Sequence, residues 1–363
     1  MMNITNRILL ACVFFLAVPF PNAVAAETSP QQAALDFAGL GAPSADPERK
    51  SFQRQAKAAW VNYEKHVGTP LATWARQEVA YPGGDTVFYP FSGPDFLTVE
   101  RMYPNADRYV LVALQKALKP IYPEKMDETQ RQAFEKKLGT AWNKFGRLGY
   151  FRTEDLDEDQ RDKTSSLGVT TILMAFAARL GYEVLEVVPL GFNGVKGEWE
   201  PLPVNEQQWK SVRLTLQKDR RKVMLDYVSM DLSDDGMRAQ KPQRAWMRRM
   251  AGKPTLLKAA SHLLQEPYFE VLRNMLTSAS PIVVQDETGL DYQDLRKIGA
   301  VRLYGNFIKP HSLFKSTTQS SLAVAYKAEK SPGELPFAFS YLKKSETRSM
   351  QIARRQVLIQ AQK

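Results

Sequence analysis

The sequence is almost free of cysteine. The chain has 363 residues and one cysteine, Cys12, which lies in an apolar stretch at the N-terminus. Beyond that stretch, the absence of thiols excludes disulfides, thiolate catalysis and cysteine-ligated zinc. No later apolar run reaches the ~20 residues that a membrane-spanning helix needs. A folded chain of this size buries about 75% of its unfolded surface, so its core can hold the fold without covalent cross-links.

Several motifs of known chemistry are also absent. The three histidines, His66, His262 and His311, are far apart and show no metal-ligand spacing. Neither a Gly-x-Ser-x-Gly elbow nor a phosphate-binding P-loop occurs. The glycine fingerprint of dinucleotide-binding folds is missing as well. The sequence therefore predicts no cofactor.

Two acidic stretches match only the first half of a calcium-binding loop. Residues 231–236 read Asp-Leu-Ser-Asp-Asp-Gly, but Pro242 occupies the position where a bidentate glutamate is needed. Asp155, Asp157 and Asp159 alternate in the same way, with Gln160 in place of the turn glycine. Solvated turns explain both stretches better, because half motifs give many false matches. No metal site is predicted.

The N-terminus has the pattern of a secretory signal peptide. Arg7 precedes the apolar residues 8–20, and small residues follow up to Ala26. This pattern predicts cleavage near Ala25 or Ala26 and a periplasmic or secreted mature chain without a transmembrane segment. Residues 9–12 also read like a lipoprotein processing box. Most of the apolar run follows Cys12, however, so lipidation is the minor alternative.

Hydrophobic periodicity predicts an α/β protein. A strand over 86–91, a helix over 96–103 and a nearly all-apolar strand over 109–114 give a Rossmann-like β-α-β start to a mixed sheet with flanking helices. The predicted organisation is a signal peptide (1–26), a helical N-terminal arm (27–80), an α/β core domain (81–342) and a basic C-terminal helix or tail (343–363).

The rest of the core is predicted to be a mixture of helices and strands. Further helices are expected over 127–145, 164–180, 242–250, 255–264 and 268–277. Further strands are expected over 182–190, 282–284, 301–304 and 337–341, with a hairpin formed by 212–216 and 223–232. The predicted helix 255–264 places His262 among apolar neighbours, which favours a packed core histidine.

Three polar loops at strand ends are the candidate functional segments. Ser92, Gly93 and Asp95 precede a helix, where backbone N–H groups can hold an anion, although a helix cap explains them more simply. Asp286 and Glu287 follow a strand directly and are candidates for general acid and base, although an exit turn is the commoner explanation. Asp235, in the loop 231–236, is the third carboxylate candidate.

Basic residues outnumber acidic ones, giving a net charge of +10, and the excess is local. Residues 236–265 contain seven Lys and Arg and no acid, and residues 343–363 contain six with one acid. Arg244, Arg248, Arg354 and Arg355 are therefore the predicted anion-binding residues, and neutralising them is expected to leave folding largely intact. An anionic envelope polymer or lipid surface is the expected partner. Nucleic acid is not, since export removes it.

Six segments together resemble a family of bacterial secreted or lipid-anchored proteins without a described activity. They are Phe88-Tyr-Pro-Phe-Ser-Gly-Pro-Asp95, Tyr103-Pro-Asn-Ala106, Asp231 to Gly236, Leu257-Lys-Ala-Ala-Ser-His262, Gln285 to Gly289, and Leu303-Tyr-Gly305. The resemblance spans roughly residues 85–342. It implies an exported, envelope-associated protein and gives the three polar loops more weight than caps and turns alone.

Two functional hypotheses follow. The first is an exported protein that binds an anionic envelope component through its two basic segments. The alternative is a hydrolase or transferase acting on an envelope glycan, with Asp235, Asp286 and Glu287 as acid/base residues. The two differ in one structural respect: catalysis requires the three loops to converge, because reacting groups must lie within hydrogen-bond reach. The oligomeric state is not predicted.

Overall fold

The structure is a computed structural model that describes residues 29–81, 83–148, 167–314, 319–339, 341 and 347–356. These residues form eleven α-helices and one ten-stranded mixed sheet. The helices are α1 (Pro30–Phe37), α2 (Pro47–Tyr63), α3 (Thr69–Glu78), α4 (Phe96–Met102), α5 (Glu128–Leu148), α6 (Gly168–Arg179), α7 (Asp234–Ala239), α8 (Lys241–Ala251), α9 (Glu270–Ala279), α10 (Tyr292–Ile298) and α11 (Ser320–Ala328). The predicted signal peptide lies outside the described residues.

The sheet has a parallel centre and antiparallel edges. Its strands are β1 (Thr86–Pro90), β2 (Arg108–Ala113), β3 (Glu183–Asn193), β4 (Glu198–Pro201), β5 (Ser211–Lys218), β6 (Arg221–Ser229), β7 (Thr255–Leu257), β8 (Ile282–Gln285), β9 (Ala300–Gly305) and β10 (Ser349–Arg354). Their order is β4-β3-β5-β6-β2-β1-β7-β8-β10-β9. The pairs β6–β2, β2–β1, β1–β7 and β7–β8 are parallel, and all other pairs are antiparallel. The mixed α/β fold is as predicted.

Helices cover both faces of the parallel centre. Alternate residues of β1 and β2 point to opposite faces, as strand geometry requires, and residues 87–89 and 109–113 are buried in the hydrophobic core on one face or the other. The first face packs against helices through Phe37, Phe52, Trp74, Phe96, Trp142 and Phe176. The second face packs against Met237, Trp246, Leu272 and Leu295 of α7, α8, α9 and α10. The N-terminal helices α1, α2 and α3 therefore belong to the same core as the sheet.

Three of the predicted elements are wrong. The predicted helix 255–264 is instead the short strand β7 followed by a 3₁₀ turn over Ala259–Gln265. Residues 337–339 form no strand. In the predicted C-terminal helix or tail, Ser349–Arg354 forms β10, which pairs with β8 and β9 inside the sheet. Ser349, Met350, Gln351, Ile352 and Ala353 are all buried.

No helix in the described ranges is both long and apolar enough to cross a bilayer.

Candidate functional site

The polar loops of this protein lie at the carboxyl ends of the central parallel strands. β1 lies between β2 and β7 in the sheet. The chain continues from β1 to β2 on one side, and the later strand β7 is added on the other side, which makes this position a switch point in the strand order. In open α/β sheets, ligands bind in the crevice outside the carboxyl ends of the strands at such a switch point. Residues 91–95 follow β1, residues 258–262 follow β7, and residues 286–289 follow β8. We call the polar side chains that these three loops contribute the carboxyl-edge cluster; they are Asp95, Lys258, Ser261, Asp286, Glu287 and Thr288.

The first part of the cluster is a buried ion pair. The Lys258 ammonium donates to Asp95 Oδ2 at 2.8 Å and to the Thr98 hydroxyl at 2.9 Å. Asp95 begins α4, and its Oδ1 accepts from Thr98 N–H and from the Thr98 hydroxyl at 2.7 Å. Lys258 is 4% exposed. Asp95 is therefore itself the N-cap of α4 and also neutralises a buried cation. The capping box expected from the Ser92–Asp95 spacing was wrong, because the Ser92 hydroxyl accepts no helix N–H among the described residues.

The second part is the carboxylate of Asp286, which is fully buried. Its Oδ1 accepts from Thr288 N–H at 2.9 Å and from the Thr288 hydroxyl at 2.5 Å, and its Oδ2 accepts from Ala259 N–H at 3.4 Å. Ser261 lies 3.2 Å from the Thr288 hydroxyl. Hydrogen bonds from these donors stabilise the charged form of the carboxylate. The loops after β7 and β8 are thus joined through Asp286.

Tyr89 links the two parts. Its hydroxyl donates to Asp95 Oδ2 at 3.1 Å. Burial, and then the negative charges of Asp95 and Asp286, raise the pKa of the Tyr89 hydroxyl well above its usual value. Both carboxylates therefore act on the same hydroxyl, which stays protonated at neutral pH.

Glu287 follows Asp286 but lies in different surroundings. One oxygen, Oε2, accepts from the Ser349 hydroxyl at 3.3 Å, and the buried Oε1 has no hydrogen-bond partner in the described part of the chain. Burial, and then the charge of Asp286, raise the pKa of Glu287 well above that of an exposed glutamic acid. The two neighbouring carboxyl groups thus differ: Asp286 accepts from several donors, whereas burial without such donors favours the protonated form of Glu287.

A covering segment, residues 306–314 and 319–339, closes over the cluster. The Phe339 ring lies 5.4 Å from the Lys258 ammonium, and the Phe314 ring lies 4.7 Å from the ring of His262. Gln319 Nε2 donates to the main-chain carbonyl of Glu287 at 2.9 Å. His262 is half-buried against this segment and does not lie inside a helix of the core.

The protonated state of Glu287 predicts a pH dependence of stability. A raised pKa in the folded state contributes stability below the usual value of 4.5, and this contribution is lost as pH rises through the folded-state pKa. Glu287→Gln keeps the shape without the proton equilibrium. We expect its melting temperature relative to wild type to increase with pH, by about 2 °C or more across pH 4.5 to 8.

Thermal unfolding of both proteins over that range measures the effect. Glu183→Gln, on the exposed side of β3, is the matched control and should stay parallel to wild type. A difference between Glu287→Gln and wild type that does not change with pH would contradict a protonated Glu287.

Asp235 is not part of the cluster. It lies on α7, its side chain is 89% exposed, and it pairs with Arg238. The rest of its loop caps helices: Ser233 accepts from Gly236 N–H at the start of α7, and Asp234 accepts from Val271 N–H at the start of α9. The structure thus brings together two of the three predicted loops. Ser92 is near the same edge, buried, with a hydroxyl that has no partner among the described residues.

The four predicted anion-binding arginines are not equivalent. Arg248 is exposed on α8, and Arg244 beside it is half-buried. Arg354 donates to the carbonyls of Glu78 and Val79 at 2.7 and 2.6 Å. Arg355 donates to the carbonyls of Ser280 and Thr277 near the end of α9. The guanidinium groups of these last two thus cap main-chain carbonyls, a role that the sequence did not indicate.

Sequence analysis missed Lys258, Tyr89, Ser261 and Thr288. Lys258 was assigned to a helix because the strand before it has only three residues. Within the described residues, no group of three or more His, Cys, Asp or Glu side chains is arranged to hold a metal ion. Asp155, Asp157 and Asp159 lie outside them.

The fold and the site define a mixed α/β protein with a polar cluster at the switch point of its parallel strands. No protein-family model matches the chain, and no curated protein is significantly similar to it.

Proposed function

We propose that this chain is an exported enzyme of the cell envelope, a hydrolase or transferase that acts on a glycan at the carboxyl-edge cluster. The observation that carries the proposal is the convergence of the loops after β1, β7 and β8, which brings Asp95, Lys258 and Asp286 into one hydrogen-bonded region. Perturbed acids at a strand-end crevice are typical of acid/base catalysis. Two features of the sequence support export: the signal-peptide pattern of residues 1–26 and the resemblance to secreted bacterial proteins.

In the proposed reaction, the two adjacent acids have opposite roles. Asp286, whose oxygens accept from Thr288 and from Ala259 N–H, is the base that activates a water or an acceptor hydroxyl. Glu287, whose raised pKa favours the protonated form, is the acid that protonates the leaving oxygen. Pairs of acids with different environments are the usual basis of such assignments.

Other groups at this edge position the substrate. Lys258 and Asp95 offer a cation and an anion to sugar hydroxyls, and Ser92 offers a buried hydroxyl that has no partner in the described ranges. The covering segment must move for a glycan to enter, because Phe339 lies directly over Lys258. In the covered form these groups are shielded from water, which strengthens their electrostatic interactions.

The test is turnover of purified cell-wall glycan, followed by new reducing ends and by mass spectrometry of the products. We expect Asp286→Asn and Glu287→Gln each to lower the rate about 100-fold, because each removes one proton-transfer group. Asp235→Asn is the matched control and should retain the wild-type rate, since that carboxylate is exposed on α7. Absence of turnover by the wild type, or equal losses in all three variants, would refute the proposal.

Anion binding, the other hypothesis from the sequence, is a separate question. Of its four arginines, Arg354 and Arg355 are engaged with main-chain carbonyls, and this weakens the case for the second basic segment. Another surface of the protein supports anion binding better.

A further inference from the structure

The exposed side of α2, together with the π-helical segment Glu64–Gly68 that continues it, carries a row of positive charges. Lys50, Arg54, Lys57 and Lys65 are exposed, and Val61 lies between the last two with 57% of its surface exposed. In the series Lys50, Arg54, Lys57, Val61 and Lys65, successive residues are three or four positions apart. They therefore share one face of the helix. None of these positions is acidic. We call this row the α2 stripe.

The cations of the stripe have no carboxylate partner in the part of the chain that the structure describes. No described carboxylate lies within 4.0 Å of Lys50, Arg54, Lys57 or Lys65. The neighbouring arginine on another side of the helix behaves differently, since Arg49 pairs with Asp36 at 2.6 Å. Four unpaired cations on one helix face repel each other, and an anionic ligand would remove that repulsion.

The stripe also contains a groove. An open depression of about 480 Å³ is lined by the cations Arg54, Lys57 and Lys65, by the apolar Ala58 and Val61, and by Asn62 and His66. Lys50 and Lys65 are 15 positions apart, which corresponds to about 22 Å along a helix. The surface thus combines cationic and apolar side chains along one helical face.

We propose that the α2 stripe binds a single strand of an acidic glycan. Such a polymer presents carboxylates for the cations and apolar C–H faces of sugar rings for Ala58 and Val61. A polyphosphate chain carries charge on every unit and has no apolar face that could contact Ala58 and Val61. This binding is a separate function from the reaction at the carboxyl-edge cluster and does not depend on it.

A lipid surface fits this helix less well. Helices that lie in a bilayer interface bury an apolar face among the lipids. The apolar face of α2 is already used, because Phe52, Ala56, Ala59 and Tyr63 are buried in the protein core. Val61 is the one large apolar side chain of the stripe, so insertion has little to gain.

Binding of the full chain to alginate, a linear polyuronate, tests the proposal. The test variant is K50Q/R54Q/K57Q/K65Q, in which glutamine preserves helix propensity. The matched control is K210Q/K222Q/R296Q/K330Q, which removes the same number and type of charges from exposed positions outside the two basic segments. Dextran, inorganic polyphosphate and phosphatidylglycerol vesicles are the comparison ligands.

We expect the wild type to bind alginate at low salt with an affinity that falls steeply as salt increases. The stripe variant should bind at least about tenfold more weakly, and the control should change less than about twofold. Equal losses in both variants would show that net charge alone is responsible. Three results would each overturn the proposal. They are equal losses in both variants, tighter binding to polyphosphate or vesicles than to alginate, and no binding at low salt.

Discussion

Replacing Asp226 by asparagine should lower the free energy of unfolding by about 3–5 kcal/mol. Asp226 lies on β6, its side chain is 0% exposed, and two arginines converge on it. Arg213 on β5 approaches Oδ1 at 2.6 Å and Oδ2 at 2.8 Å, and Arg108 on β2 approaches Oδ2 with Nε at 2.9 Å. Asparagine cannot neutralise them, so two largely buried cations would lose their partner.

Urea denaturation at neutral pH measures the loss. Asp107→Asn is the matched control, because Asp107 pairs with Arg221 at the surface, where both side chains are more than a third exposed. Exposed pairs contribute at most about 1 kcal/mol, so the control should stay close to wild type. Equal effects of the two substitutions would show that burial does not set the strength of the Asp226 cluster.

The position of Asp226 gives this cluster a role in the architecture. β2 and β6 are parallel, whereas β6 and β5 form an antiparallel hairpin. The three charged residues therefore join the parallel centre of the sheet to its antiparallel edge. Buried charges are costly to desolvate and tolerate few partners. Pairing of β6 with any strand other than β2 would separate Arg108 from Asp226.

Local patterns were sufficient for the elements with strong local signals. The nearly all-apolar stretch around Tyr109 predicted a strand covered on both faces, and β2 is such a strand. The two β-rich runs separated by a polar turn predicted the β5–β6 hairpin, which closes tightly through Asp219 and Arg220 in left-handed conformations. In these cases the information lies within about twenty residues of sequence.

Elements that depend on distant partners were not predictable in this way. β7 has only three residues, and the apolar spacing around it also fits a helix. Its strand conformation comes from parallel pairing with β1 and β8, whose residues are distant in sequence. β10 was missed for the same reason, although the alternation of Met350 and Ile352 was a usable sign of a strand.

The candidate site shows the same limit. A sequence indicates that a polar loop follows a strand, and this was correct for the loops containing Asp95 and Asp286. It does not indicate which strands become neighbours. Lys258 entered the site only because β7 lies between β1 and β8, and Asp235 stayed outside because α7 holds it at the surface.

The second large effect is expected from Lys258→Met, which should destabilise the protein by about 3 kcal/mol. Methionine keeps the length of the side chain and removes the ammonium that Asp95 and Thr98 share. Asp95 would remain largely buried with a negative charge and with Asp286 nearby. We expect the low end of the range for buried pairs, because Tyr89 and Thr98 still donate to Asp95.

The double variant Lys258→Met/Asp95→Asn separates charge from packing. Asparagine is as good a helix cap as aspartate, so α4 should keep its start while the unpaired charge disappears. Urea denaturation should therefore show the double variant to be more stable than Lys258→Met alone, by about 1 kcal/mol or more. If the second substitution instead adds its own full loss, Lys258 and Asp95 are not coupled. Lys258 then contributes to folding through the packing of its methylene groups rather than through its ion pair with Asp95.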